Sequence, residues 1–442
     1  MKLNALSLVA VLILPSLVAS QLSGRVGPTT TREAKRNKVC NVLNYGGTAS
    51  KTADIGKPLV SAFAACKNGG TVYVPPGDYG MSTWASLTGG SSWALQIDGI
   101  IYRVGTASGN MIYVGETSDF EMYSSTSKGA IQGHGYIFHA NKQYGARILR
   151  LGKVDNFSIH DIALVDAPAF HLGLDTCTNG EIYNMIIRGG DEGGLDGIDI
   201  WGSNIHVHDI QVTNRDECVT VKSPANNMLI ENIHCNWSGG SAMGSLGANT
   251  QISNILYRNI YTVQSNQMYM IKSNGGSGTV KNCTFENFIG HGNAYSLDLN
   301  AFWSSQTKAS GNGVQYTGLT FKDWKGTCAN GAQRGPIQIL CPSAVACTSI
   351  TLQNVDLWTD SGNGVTWKCE NAFGSGGCLR SGDGSSSYSS TTTLVTAPTA
   401  YSAPKMPNDL GSGFGLTASI PIPAVPTTFF PGATPASALL GR

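Results

Sequence analysis

The chain has 442 residues with formal net charge +1, Gly at 55 positions and charged residues at only 13%. Against typical shares of about 7% Gly and about 25% charged residues, this points to many turns and strands and few long exposed helices. Near-zero net charge leaves no electrostatic footprint for nucleic acid or for an anionic membrane, so neither is expected as a partner.

At the N-terminus, Lys2 precedes an apolar run from Leu6 to Leu14, which Pro15 and Ser16 break. Val18 and Ser20 then fit a cleavage site before Gln21. Residues 1–20 therefore read as a secretory signal peptide, too short to span a bilayer, and the mature protein is expected to be secreted, extracellular and monomeric. Eleven cysteines in such a chain favour disulfides, with one left over. Proximity suggests Cys341–Cys347 and Cys369–Cys378, with Cys40–Cys66 and Cys218–Cys235 also fitting. A Cys283–Cys328 pair remains possible, which would leave Cys177 as a buried thiol. No cysteine spacing resembles a zinc site, and no metal or cofactor is expected. Sequons at Asn156, Asn236 and Asn282 are candidate glycan sites.

Pro58 to Cys66 has the composition of a short helix, with Pro58 in its first turn. Such a helix would cap the open end of a solenoid. From Arg147 onward one pattern returns: a polar turn, an alternating apolar run, then an Asn or Asp flanked by aliphatics. The markers Asp161, Asn184, Asp209, Asn232, Asn259 and Asn287 recur about every 23 to 28 residues, and Asp323 and Asn354 extend the series. Period-two alternation rich in Ile, Val and Thr indicates strands. Breaks at Gly173, Gly180, Gly189, Gly239 and Gly275 separate them. Short strands without intervening helix predict an all-β chain: a single right-handed parallel β-helix over residues 21–380. The Asn/Asp markers suit turns in which each side chain bonds backbone or stacks on the next copy. Ser385 to Thr393 reads as flexible or O-glycosylated, and residues 381–442 as a Ser/Thr- and Pro-rich extended tail.

Acids concentrate in one place. Asp196 and Asp199 precede Asp216 and Glu217 by about one repeat, and residues one coil apart stack about 4.8 Å apart. The three carboxyls of Asp196, Asp216 and Glu217 could share one outer face, provided the chain bends at the adjacent pair. Carboxyls so close cannot all ionise normally, which is how an acid and a base arise from one residue type. Glycosidic hydrolysis needs that pair. The alternative is a solvated acidic turn. Asp199 reads as structural, and His206 with His208 as a surface pair, because Asp209 should point to the other face.

The stretches Asp196–Asp199 and Asp216–Cys218 resemble the paired acidic motifs of family 28 glycoside hydrolases. Resemblance extends from Gln21 to the tail and is closest to the fungal members that cleave rhamnogalacturonan I. It implies a right-handed parallel β-helix and metal-independent, inverting, endo-acting hydrolysis of galacturonate–rhamnose linkages in a pectic polysaccharide. Asp216 would be the general acid, with Asp196 and Glu217 activating water between carboxyls about 6.5–9.5 Å apart. The arginine of the family's Arg-Ile-Lys motif is Met270 here, while Lys272 is kept, which suits a subsite for a neutral sugar. The family's Gly-His-Gly is displaced to Gly290, His291 and Gly292, so His291 is carried as a further catalytic candidate. Lys222, Lys272 and Tyr295 are candidate substrate ligands, and Trp303 a possible stacking ring. Polygalacturonase or xylogalacturonan hydrolase activity, a calcium-dependent lyase on the same fold, and a non-catalytic pectin-binding β-helix are the competing readings.

Overall fold

The computed structural model describes residues 21–329, 336–394 and 410–425. The expected leader lies outside them, as do Pro426 and Pro431 of the tail. The described residues form a right-handed parallel β-helix of 24 strands in one continuous ladder. No helix among them is long and apolar enough to cross a membrane.

Why the chain coils is visible in its longest strands. Leu172–Arg188 pairs in parallel with Arg147–His160 on one side and Ile198–Thr213 on the other. Each strand turns a corner without breaking its ladder. The corners are single residues in the left-handed region: φ is +57° at Asp161, +51° at Asn184, +54° at Asp209, +55° at Asn232 and +53° at Asn287. Asn and Asp tolerate that conformation better than other side chains. Here they also bond each other along the axis. Asn232 Nδ2 donates to Asp209 Oδ1 at 3.1 Å, Asn259 to Asn232 at 3.0 Å and Asn287 to Asn259 at 2.8 Å. The recurring marker is thus both corner and ladder. Gly173 and Gly180 do not end strands; both lie inside Leu172–Arg188.

Alternate residues point inward and stack coil on coil. Ile159, Ile182, Val207, Ile230, Tyr257, Phe285 and Phe321 form one such file, with the Phe285 and Phe321 rings 4.6 Å apart. Helix Gly56–Cys66 closes the N-terminal end, burying Leu59, Ala62 and Phe63, the last 4.8 Å from Trp93. Four disulfides join Cys40–Cys66, Cys218–Cys235, Cys341–Cys347 and Cys369–Cys378. Cys283 and Cys328 are not paired; like Cys177 they are buried thiols. Their strands carry them to separate positions in the coil, Cys283 opposite Leu319 and Cys328 opposite Asn293. Burial pushes the Cys177 and Cys283 thiols up to about 12.

Two expectations about the ends and surface change. The Ser/Thr stretch contributes strand Ser389–Leu394, antiparallel to Val365–Glu370, so part of it is ordered. A terminal coil has an unpaired edge, and an antiparallel return covers it. Asn236 is 1% exposed, leaving no room for a glycan, whereas Asn282 is exposed. Of the tail, residues 410–425 pack against the solenoid: Phe414 and Ile420 lie near Val165 and Ile186, and Gln132 Nε2 donates to the Ile420 carbonyl at 2.8 Å.

Candidate active site

The bend that the acid pair requires is present. Residues 214–216 form it, and strand Glu217–Asn236 begins immediately after. Asn214 fixes the bend from inside, its Nδ2 donating to Leu195 O at 2.8 Å and Glu217 O at 3.0 Å. Gly197 N–H donates to Glu217 O at 2.9 Å, which sets Asp196 beside Glu217 on neighbouring coils. Asp196, Asp216 and Glu217 thereby present carboxylate oxygens all within 4.8 Å of one another. Asp196 and Glu217 are buried and Asp216 is half-buried.

Asp216 is oriented by backbone. Its Oδ2 accepts from Gly194 N–H and its Oδ1 from Glu217 N–H at 2.9 Å. Gly194 has φ +76°, and a Cβ there would come within 2.8 Å of the Tyr144 ring. Tyr144 is 56% exposed and its hydroxyl donates to Gly193 O at 2.9 Å. Sequence reasoning missed Tyr144 because it lies some fifty residues from the acids and in no motif.

The two lysines sit on the acids. Lys272 Nζ donates to Glu217 Oε1. Lys222 Nζ lies 3.3 Å from Asp199 Oδ1 and 3.7 Å from Asp196 Oδ2. Asp199 is therefore part of the charge network, not remote from it. Burial raises the Asp196 carboxyl well above its ordinary range, and the charges of Asp199 and Asp216 push it the same way. Burial also raises Asp199, opposed by Lys222. The trio is a donor set that a hard divalent cation could use. Lys272 and Lys222 in contact with two of the three acids already offset the charge that would attract one.

Other candidates lie further along the axis. The turn hydrogen bonds run Gly239 to Asp216, Asn266 to Ser238, then Tyr295 to Asn266. Tyr295 thus stands three coils from Asp216, about 14 Å at the strand spacing. His291 follows the same count, Thr213 to Asn236 to Val263 to His291. It is exposed, with Nδ1 3.4 Å from Thr327 Oγ1, and the fold does not bring it to the carboxylates. Trp303 has its ring centre 5.9 Å from Lys272 Nζ.

His206 and His208 are not a surface pair. The left-handed φ of Asp209 breaks strand alternation, and Asp209 Oδ2 lies 2.8 Å from His208 Nδ1. His208 Nε2 lies 3.1 Å from Glu181, and His206 Nε2 is 2.8 Å from Glu231. Glu181, His206 and His208 form a second group whose donor atoms could hold a metal ion, although each already bonds a protein group. It adjoins a cavity of about 360 Å³ beneath residues 25–32, lined by Glu121, Glu181 and Tyr183. The carboxylate trio lies elsewhere, on the outer face that carries Asp199, Lys222 and Lys272.

Residues 92–378 match the family described as Glycosyl hydrolases family 28. The chain is 60% identical over 440 residues to rhamnogalacturonase A of Aspergillus aculeatus, covering 99% of this chain and all of that one. It is also 60% identical to a probable rhamnogalacturonase B of Aspergillus fumigatus, covering 100% of this chain and 86% of the other. Among solved structures, endo-xylogalacturonan hydrolase from Aspergillus tubingensis superposes with a TM-score of 0.65 at 21% identity, over 73% of this chain and 94% of that one. A polygalacturonase from Erwinia carotovora gives 0.61 at 18% identity, over 80% and 100%. At those identities the structures speak for the fold alone.

Proposed function

The chain belongs to glycosyl hydrolase family 28, and on that premise we propose that it is a secreted, endo-acting hydrolase of the galacturonate–rhamnose linkages of rhamnogalacturonan I. What carries this reading is full-length 60% identity to a rhamnogalacturonase, joined to three carboxyls within mutual reach, of which Asp216 is the most accessible.

Hydrolysis needs one group to protonate the leaving oxygen and another to take a proton from water. Asp216, the least buried of the three, delivers the proton. Glu217 and Asp196 hold and deprotonate the water. The nearest oxygens are closer than the separation of about 6.5–9.5 Å usual for inversion. Oxygens within 4.8 Å of one another can still share one bridging water at ordinary hydrogen-bond lengths of about 2.7–2.8 Å. Lys272 and Lys222 keep two negative acids tolerable side by side. Met270 lies in the floor beside Ala242 and Asp298, where it offers a galacturonate no guanidinium fork, which suits a neutral ring.

The raised Asp196 favours a second division of labour, in which Asp196 donates and Asp216 with Glu217 take the water proton. An aryl glycoside with a good leaving group separates the two, since it needs no acid. The variant that keeps activity on it, Asp216→Asn or Asp196→Asn, marks the donor.

Product analysis tests the function itself. Saponified rhamnogalacturonan should give oligosaccharides with rhamnose at the non-reducing end, and homogalacturonan should give none. Cleavage of homogalacturonan alone would make the protein a polygalacturonase. Proton NMR of the first product should show an inverted anomeric centre; retention would mean that one carboxylate attacks directly.

A further inference from the structure

The outward file of residues that contains Asp199 continues past the acids toward the N-terminal end. Ladder pairing gives Asp199 opposite Gly173, Gly173 opposite Arg150, Arg150 opposite Tyr113 and Tyr113 opposite Ser86. Each is flanked by inward aliphatics, such as Leu149 and Leu151 around Arg150, so period-two alternation turns all of them outward. Arg150 is therefore two coils from Asp199 and Tyr113 three, about 10 and 14 Å along the axis.

The surface along this file is shaped as a trough with a flat end. A Cβ on Gly173 would meet nothing nearer than Arg150 Cγ at 4.0 Å, so the floor between Arg150 and the acids is open. The Tyr113 side chain lies across Gly115 and Gly152, where a Cβ would come within 2.6 Å of the ring and 2.5 Å of the hydroxyl respectively. Only glycine lets the ring lie flat on the sheet with its other face outward. Tyr113 and Trp84 line a hollow of about 350 Å³ together with Asn110. The side-chain oxygen of Asn110 accepts no hydrogen bond.

Charge gives the trough a direction. Toward the C-terminal end the same file runs Ala242, Met270 and Asp298, which repels or ignores a carboxylate. Toward the N-terminal end Arg150 is 37% exposed and spends one nitrogen on Asp175 at 2.9 Å. A guanidinium has further donors in a planar fork that matches a second carboxylate.

We infer that Arg150, Tyr113 and Trp84 form a distal subsite that binds the pectic chain two to three sugars from the scissile bond. Arg150 takes the carboxylate of a galacturonate, and the Tyr113 ring carries the neutral sugar next to it. Acidic and neutral rings are neighbours in the polymer as Arg150 and Tyr113 are neighbours along the file. The inference rests on the proposed function, and it goes beyond that function in naming where the remote chain is read.

The test compares oligosaccharides of increasing length, cut from whichever galacturonate polymer the wild type hydrolyses. It therefore reads the subsite even if that polymer is homogalacturonan, which would sink the proposed function alone. Arg150→Gln should raise KM about tenfold on long fragments, with kcat kept and the shortest cleaved fragment unaffected. Reducing the substrate carboxyls to alcohols should abolish the difference between Arg150→Gln and wild type. Tyr113→Ala should show the same length dependence, and Tyr113→Phe, which keeps the ring, should not. Equal loss at every length, or no loss at any, would overturn the subsite. Circular dichroism and melting of each variant identify a folding defect, and the Tyr113→Phe comparison stands independently of it.

Discussion

Beneath the N-terminal segment, Glu121 lies 2.7 Å from Arg32 and 3.1 Å from the His160 ring. Three coils further on, Asp196 has one ammonium at 3.7 Å and two more acids for company. Burial alone would raise both carboxyls. In Glu121 the His160 hydrogen bond and the Arg32 charge overcome it and hold the group down at about 2. Glu231, bonded to His206 and Arg258, is likewise held down at about 2. At the cleft the acidic neighbours Asp199 and Asp216 add to burial, and Lys222 and Lys272 offset it only in part. One solenoid thus builds two polar clusters from the same residue types. The covered one has a partner for each charge, and the open one keeps its acids strained against each other. The first holds the chain together, with the Tyr123, His160, Tyr183 and His208 rings stacked along it. The second holds the Asp196 carboxyl above its ordinary range, as functional clusters of acids do.

Substitutions should separate the two clusters, beginning with the largest effect. Asp216→Asn should lower turnover by roughly a thousandfold while leaving the melting temperature nearly unchanged, as steady-state assays and calorimetry would read. Retained activity would remove Asp216 from the chemistry. Glu121→Gln should do the reverse, keeping the cleft intact and costing about 3 kcal/mol of stability near neutral pH. Its folded carboxyl titrates below its unfolded value, so that contribution is present above about pH 5 and fades as pH falls toward about 2. Denaturant melts across that range check the sign.

Asp196→Asn should stabilise the fold by about 1 kcal/mol at neutral pH even as activity is lost. Here the folded carboxyl titrates above its unfolded value, so the wild type is favoured below pH 4 and penalised as pH rises. The gain in the variant should therefore grow with pH, and a gain that shrinks would contradict the raised carboxyl. The smallest effect expected is that of Tyr144→Phe. It removes the hydroxyl bond to Gly193 O and loosens the backbone that orients Asp216, lowering catalytic efficiency a few-fold. An unchanged pH–rate profile would place Tyr144 in positioning and not in proton transfer.

Local chemistry repeated along the chain was enough to read the solenoid, its four disulfides and the acid trio. Asn or Asp every coil meets a corner that needs a left-handed residue, and alternating aliphatics meet an interior that stacks them. Asp196 and the Asp216–Glu217 pair come together because they lie one coil apart, which spacing expresses directly. Contacts that cross several coils, or that depend on one backbone angle, were decided only by the tertiary structure. The positive φ at Asp209 carried its carboxylate to His208 against strand alternation. Axial distance kept His291 and Tyr295 three coils from Asp216, though their motifs pointed to the site. Tyr144 reached Gly193 from an earlier coil, and Lys222 was drawn onto Asp199 and Asp196. Sequence records which residues recur at the period of the coil, but a side chain's partners across that period depend on where each corner turns.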